Sequence, residues 1–182
     1  MKRSVYTLFL LSAILLTAAG RSEEARSAVH VYTASERVRP GQRVPVAVQI
    51  TVADGWHTYA EEPGDSGMPP SITIRGPDGL EVGKWRFPAP QTFTDSVGTS
   101  YGYEHQVVLL SELLIPETVP DGTQIQLTAD INWMICRDIC VFQTGSQTVL
   151  LWADTGASMA PSSEWKQLLE ESRWNARSMK KK

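Results

Sequence analysis

The sequence predicts an all-β, immunoglobulin-like antiparallel β-sandwich with a short C-terminal helix. Two period-two runs carry that reading. In "VPVAVQITV", Val44, Val46, Val48, Ile50 and Val52 alternate with Pro45, Ala47, Gln49 and Thr51, the pattern of a strand with one buried and one wet face. In "QIQLTADINWMI", Ile125, Leu127, Ala129, Ile131, Trp133 and Ile135 share a face against Gln124, Gln126, Thr128, Asp130 and Asn132. Turn residues then punctuate the chain at "RPGQ", "ADG", "GPDG", "PDG" and "TG". Short strands separated in this way, without strand–helix alternation, fit an antiparallel sandwich and not a parallel sheet.

Read in order, the chain opens with "MKR", an apolar run from Val5 to Leu16, and the small residues Ala18, Ala19 and Gly20. That is the layout of a secretory signal peptide over residues 1–20. The run is shorter than the roughly 20 residues that span a bilayer, and no second run of that kind follows. An exported chain that does not span the membrane is expected. Residues 21–28, "RSEEARSA", read as a loose leader. Residues 29–152 form the predicted sandwich, with further strands in "VHVYTA", "SITI", "QVVLL" and "QTVLLW". Two segments interrupt the pattern, "EEPGDSGMPPS" and "PAPQTFTDSVGTSYGYE". Both read as long loops, a feature often reserved for function.

Residues 153–182 are a linker and tail. Trp165, Leu168 and Leu169 stand at helical spacing behind a candidate cap, Ser163. A short helix resting on the sandwich, with a solvated basic end, is the simplest reading; a helix that docks a partner is the other. The chain carries 17 Lys and Arg against 20 Asp and Glu, without a basic stripe, which argues against a nucleic-acid partner. No long apolar seam suggests self-association, so a monomer is expected.

The only cysteines, Cys136 and Cys140, stand in "NWMICRDICVF". Residues four apart in a straight strand are separated by about 13 Å, far beyond the roughly 7 Å limit for a disulfide. If the pair bonds, the strand must break near Ile135, in a bend or a single helical turn. As a staple such a bond is weak: closing a loop of five residues removes only about 2 kcal/mol of unfolded-state entropy. Three uses remain open on these grounds: redox exchange, an inert local disulfide, and a soft metal site for Cu(I) with Met134. His30, His57 and His105 show no ligand spacing that would call for a metal, so no metal or cofactor is expected.

Four stretches, "DGWHTYAEEPGDSGMPPSI", "FPAPQTF", "SYGYEHQVVLL" and "INWMICRDICVF", together resemble the N-terminal periplasmic domain of DsbD-type and ScsB-type thiol:disulfide interchange proteins. The resemblance covers roughly residues 29–152. It implies an immunoglobulin-like domain in the periplasm whose cysteine pair, here Cys136 and Cys140, carries reducing equivalents to thioredoxin-fold exported proteins. It further implies that His57 and Tyr59 flank the pair, and that a cap loop falls near Asp95 to Tyr103 with Tyr101 as a candidate lid. Full-length members pass electrons through their own membrane segment. No such segment is read here, so a separate membrane electron conduit is expected to supply them. The competing expectation is a non-catalytic immunoglobulin-like binding module, holding a protein partner or Cu(I) while its local disulfide stays inert.

Overall fold

The computed structural model describes residues 26–96, 98–158 and 160–172. The predicted signal peptide, leader residues 21–25 and the basic end from 173 onward lie outside them. Among the described residues, eleven strands and one helix follow in chain order: β1 (Ser27–Thr33), β2 (Arg37–Val38), β3 (Arg43–Val52), β4 (His57–Gly64), β5 (Ser71–Arg75), β6 (Glu81–Val82), β7 (Gln91–Thr94), β8 (Thr99–Glu104), β9 (Gln106–Leu114), β10 (Gln124–Cys136), β11 (Cys140–Ala153) and α1 (Ser163–Glu171).

They form two sheets. One has the order β1-β3-β9-β6, the other β2-β11-β10-β4-β8-β7, with β5 also paired to β10. All pairings are antiparallel except β2 with β11. β10 is shared along its length: β5 covers Thr128 to Asn132, and β4 takes over at Ile135 and Cys136.

The core lies between the sheets, where the two alternating runs face each other. Val44, Val46, Val48, Ile50 and Val52 from β3 and Ile125, Leu127, Ala129, Ile131, Trp133 and Ile135 from β10 are all buried in one cluster. The Trp133 indole N–H donates to Ser27 Oγ at 3.1 Å, which ties β10 to the first strand.

Three expectations change. Much of the two segments read as loops is strand: β4 continues to Gly64, and β7 with β8 makes a hairpin on its far side. β7 and β8 gain their order from backbone pairing with β4, and Gly102 permits the close approach, since a Cβ there would lie 2.0 Å from the Thr58 carbonyl oxygen. Second, the helix cap is Ser162 and not Ser163, because Ser162 Oγ accepts from the Trp165 backbone N–H at 3.1 Å. Trp165 and Leu168 are buried against Ala34, Ala47, Val108 and Leu110, with Leu169 half-buried beside them, so α1 covers the outer face of the first sheet. Third, β10 does not break before the cysteines. It runs through Cys136, reverses over Arg137, Asp138 and Ile139, and returns as β11 from Cys140.

Candidate functional site

A strand reversal solves the geometric problem that the spacing of the cysteines poses. In a hairpin with a three-residue loop, the residues on either side of the loop become cross-strand partners. Cys136 and Cys140 are such partners, 4.1 Å apart at Cα and joined by a disulfide, near the roughly 4.5 Å spacing of a non-hydrogen-bonded antiparallel pair. Neither a helical turn nor a bend is needed.

Register then decides what shares a face with the sulfurs. His57 lies opposite Cys136, and Glu104 lies opposite His57. Tyr59 lies opposite Gly102, and on the next strand Phe93 lies opposite Ser100. Residues directly opposite one another project to the same side of a sheet, so Cys136, Cys140, His57, Tyr59 and Phe93 occupy its outer face. Their neighbours Ile135, Thr58 and Tyr103 point into the core, where all three are buried. Thr58 Oγ1 donates to the Met134 carbonyl at 3.0 Å and fixes β4 against the cysteine end of β10.

An outer face is normally wet, yet Cys136 is 3% exposed and Tyr59 only 1%. The turn after β4 covers Tyr59. Gly67 lies flat against the Tyr59 ring, with φ near 92°, and a Cβ at that position would stand within 2.3 Å of ring carbons. Only glycine fits there. The Ser66 side chain hydrogen-bonds to the Tyr59 hydroxyl, which in turn lies 3.7 Å from Cys140 Sγ. A disulfide sulfur has no proton to give, so the hydroxyl donates to it. Burial pushes the Tyr59 phenol up from its ordinary value, an effect that Ser66 partly opposes.

His57 is held between two rings. It stacks on Phe93 with centroids 4.3 Å apart and meets Tyr59 edge-on at 5.2 Å. Its Nε2 is buried and has no hydrogen-bond partner among the described residues. Burial lowers its pKa below the ordinary imidazole value, against an opposing pull from Glu104 and Asp95.

The two cysteines are unequal. Cys136 is buried, whereas Cys140 is exposed and stands beside the exposed side chains of Ile139 and Phe142. The loop between them is anchored from one side: the Arg137 guanidinium lies over the Trp56 ring at 5.2 Å and its Nε donates to Asp138 at 3.0 Å.

His57 and Tyr59 are thus brought to the cysteines, and Tyr101 is not. Tyr101 lies opposite Thr92, on the other side of the sheet from Phe93, and is 39% exposed. The residues that sequence reasoning missed are Phe93, Ser66, Gly67 and the Arg137–Trp56 contact. Phe93 sits in "QTFT", whose phenylalanine is its one apolar residue, and the period of two is the only signal that could have oriented it. Among the described residues no group of three or more His, Cys, Asp or Glu is placed to hold a metal. In the disulfide state neither sulfur is available as a thiolate ligand.

Comparison with known proteins follows the same lines. Residues 26–151 match the family model described as "Thiol:disulfide interchange protein DsbD, N-terminal". Among solved structures, the N-terminal periplasmic domain of ScsB from Proteus mirabilis is similar with a TM-score of 0.58 and 18% identity, over 84% of this chain and 55% of that one. This chain therefore spans about half the length of that ScsB domain. The reduced N-terminal domain of DsbD from Neisseria meningitidis matches with a TM-score of 0.41 and 15% identity, over 69% of this chain and 85% of that one. No curated protein sequence matches this chain.

Proposed function

Since the chain belongs to the family of DsbD N-terminal domains, we propose that it is an exported, periplasmic thiol:disulfide interchange domain that carries electrons through Cys136 and Cys140. The observation that carries this reading is the disulfide at a hairpin tip with one cysteine exposed and the other buried. A loop this short adds little stability as a cross-link, about 2 kcal/mol, in a domain whose apolar core already joins both sheets. Exposed disulfides of this kind are the labile and catalytic ones.

The exposed Cys140 makes the first contact. In the reduced protein its thiolate attacks a sulfur of the partner's disulfide; that S–S bond breaks, a mixed disulfide forms and one partner thiolate leaves. Cys136 then attacks Cys140 Sγ, the intramolecular disulfide closes and the second partner thiolate departs. Two electrons have passed to the partner. The partners are thioredoxin-fold exported proteins, and a separate membrane electron conduit returns the pair to its dithiol state. Among the described residues no helix is long and apolar enough to cross a membrane. His57, Tyr59 and the covering turn flank the pair, and the lid role falls to Phe93 in place of Tyr101.

Redox titration with thiol trapping tests the reading. A pair that interchanges titrates above about −300 mV, where structural disulfides end. A pair that remains oxidised well below that potential rejects interchange in favour of a binding module with an inert disulfide. A Cys136→Ala variant, which leaves the exposed sulfur, should accumulate a mixed disulfide with its partner; Cys140→Ala should accumulate far less.

A further inference from the structure

We propose that His57 is the proton acceptor for the Cys136 thiol in the step that resolves the mixed disulfide. The inference rests on the interchange reading and assigns a residue to its second half-reaction. That half-reaction has a difficulty built into the fold. Cys140 is an exposed residue, from which a proton can pass to solvent, but Cys136 is 3% exposed. An apolar, covered site disfavours a thiolate, and the thiol must still ionise to attack Cys140 Sγ.

The group placed to take that proton is the directly opposite residue on the adjacent strand, His57. Cβ atoms of such partners stand roughly 4.5–5.5 Å apart. Its Nε2 is buried and unpartnered among the described residues while the sulfurs are joined, so it has an open acceptor position on the strand that faces Cys136. Burial keeps the ring neutral at rest, which leaves a nitrogen lone pair free to accept. The ring is fixed by Phe93 and Tyr59.

The charged and titratable groups around it suit the transfer. Glu104 faces it from β8, Asp95 lies just beyond the end of β7, Tyr59 shares its strand and Cys136 faces it from β10. Both carboxylates favour an imidazolium once formed. Arg137, the nearest cation of the cysteine loop, is drawn onto Trp56. The step balances: the Cys136 S–H proton moves to His57 Nε2, the Cys136 sulfur bonds to Cys140 Sγ, and the Cys140–partner bond breaks. The electron pair of that bond leaves on the partner thiolate, which takes the proton from the imidazolium.

Stopped-flow reaction of the reduced protein with one equivalent of dithiobis(nitrobenzoate), an aromatic disulfide, separates the two halves. Attack by Cys140 releases one thionitrobenzoate in a second-order phase; resolution by Cys136 releases the other in a first-order phase. General bases typically contribute 10²- to 10⁴-fold. His57→Gln and His57→Phe, the latter keeping a ring against Phe93, are both expected to slow the first-order phase at least about tenfold while the second-order phase stays within about twofold. In the wild-type protein the first-order rate should rise through a pKa below the usual imidazole value and then level off. A first-order phase unchanged in either folded variant overturns the proposal. So does a wild-type rate that climbs only above about pH 8, where free thiols ionise, a result that needs no variant. If the wild-type protein shows no first-order phase at all, the pair does not resolve and the interchange reading itself falls.

Discussion

The Tyr59 hydroxyl lies 3.7 Å from Cys140 Sγ and takes a hydrogen bond from Ser66, so the exposed cysteine of the pair is the one whose sulfur meets a side-chain donor. The buried sulfur of Cys136 faces an imidazole instead. Two cysteines related by one strand reversal therefore meet different chemistry.

The hydroxyl should stabilise the Cys140 thiolate once the pair is reduced. Tyr59→Phe keeps the buried ring and removes the donor, so stability should change by no more than about 1 kcal/mol, the net worth of one hydrogen bond. The Cys140 thiol pKa should rise and alkylation near neutral pH should slow about threefold to tenfold, on the same energy scale. Iodoacetamide rates against pH, with urea unfolding as the control, read both effects.

Much of this was legible in the sequence, for reasons visible at particular residues. β3 and β10 alternate strictly because each has one face in the core, and that pattern survives in single letters. β7 and β8 escape the sequence reading because "QTFT" and "TSYGYE" are short and hold no aliphatic residue, so no apolar alternation marks them; their order comes from pairing with β4, which local composition does not record. The cysteine turn escaped for the opposite reason. Arg137, Asp138 and Ile139 carry none of the Gly or Asn signals of a tight hairpin, so a bend or helical turn looked equally suitable. The resemblance points to His57 and Tyr59, while the side of the sheet that Tyr101 and Phe93 each occupy depends on a strand register that only the fold supplies.

Gly67 is the position where the cover is most easily broken. With positive φ and a Cβ that would intrude on the Tyr59 ring, Gly67→Ala must displace either the turn or the ring. Backbone strain and overpacking together predict a loss of about 2–4 kcal/mol in urea unfolding. The Tyr59–Cys140 contact should go with it. A Gly67→Ala protein as stable as the wild type would show that the turn yields without strain.

Two groups whose pKa values burial shifts act at the two ends of the pH range of stability. His57 has a lowered pKa in the folded protein. As pH falls below about 6.5, the unfolded chain gains a proton that the folded one resists, and stability declines until the folded pKa is passed. Tyr103 is buried, donates its hydroxyl to the Pro88 carbonyl at 2.8 Å and has its phenol pushed strongly upward by burial, with a smaller push from Glu61. Its stability contribution is present below the ordinary phenol value near 10 and is lost as pH rises toward the folded one. Urea unfolding from pH 5 to 11 should therefore show a plateau between these limits. His57→Gln should flatten the acid side and Tyr103→Phe the alkaline side.

Arg137 is the remaining constraint on the interchange loop. Its guanidinium rests over Trp56, whose ring also receives Arg26 at 5.3 Å, and its Cδ packs 3.5 Å from where a Gly55 Cβ would be. A cation–aromatic contact of this kind contributes about 0.5–2 kcal/mol, and here it acts on the three residues that hold the sulfurs in register. While the disulfide is closed, the covalent link performs the same task, so Arg137→Ala should change the stability of the oxidised protein by less than about 1 kcal/mol. In the dithiol form the clamp is what keeps Cys136 opposite Cys140, and the variant should lose more stability there than in the oxidised form. Linkage then requires a shift of the reduction potential toward the more negative side, because the reduced state has been selectively weakened. Arg137→Lys, which retains a cation, should recover part of the shift. Equal destabilisation of both redox states would mean that Arg137 serves the hairpin alone and leaves the potential untouched.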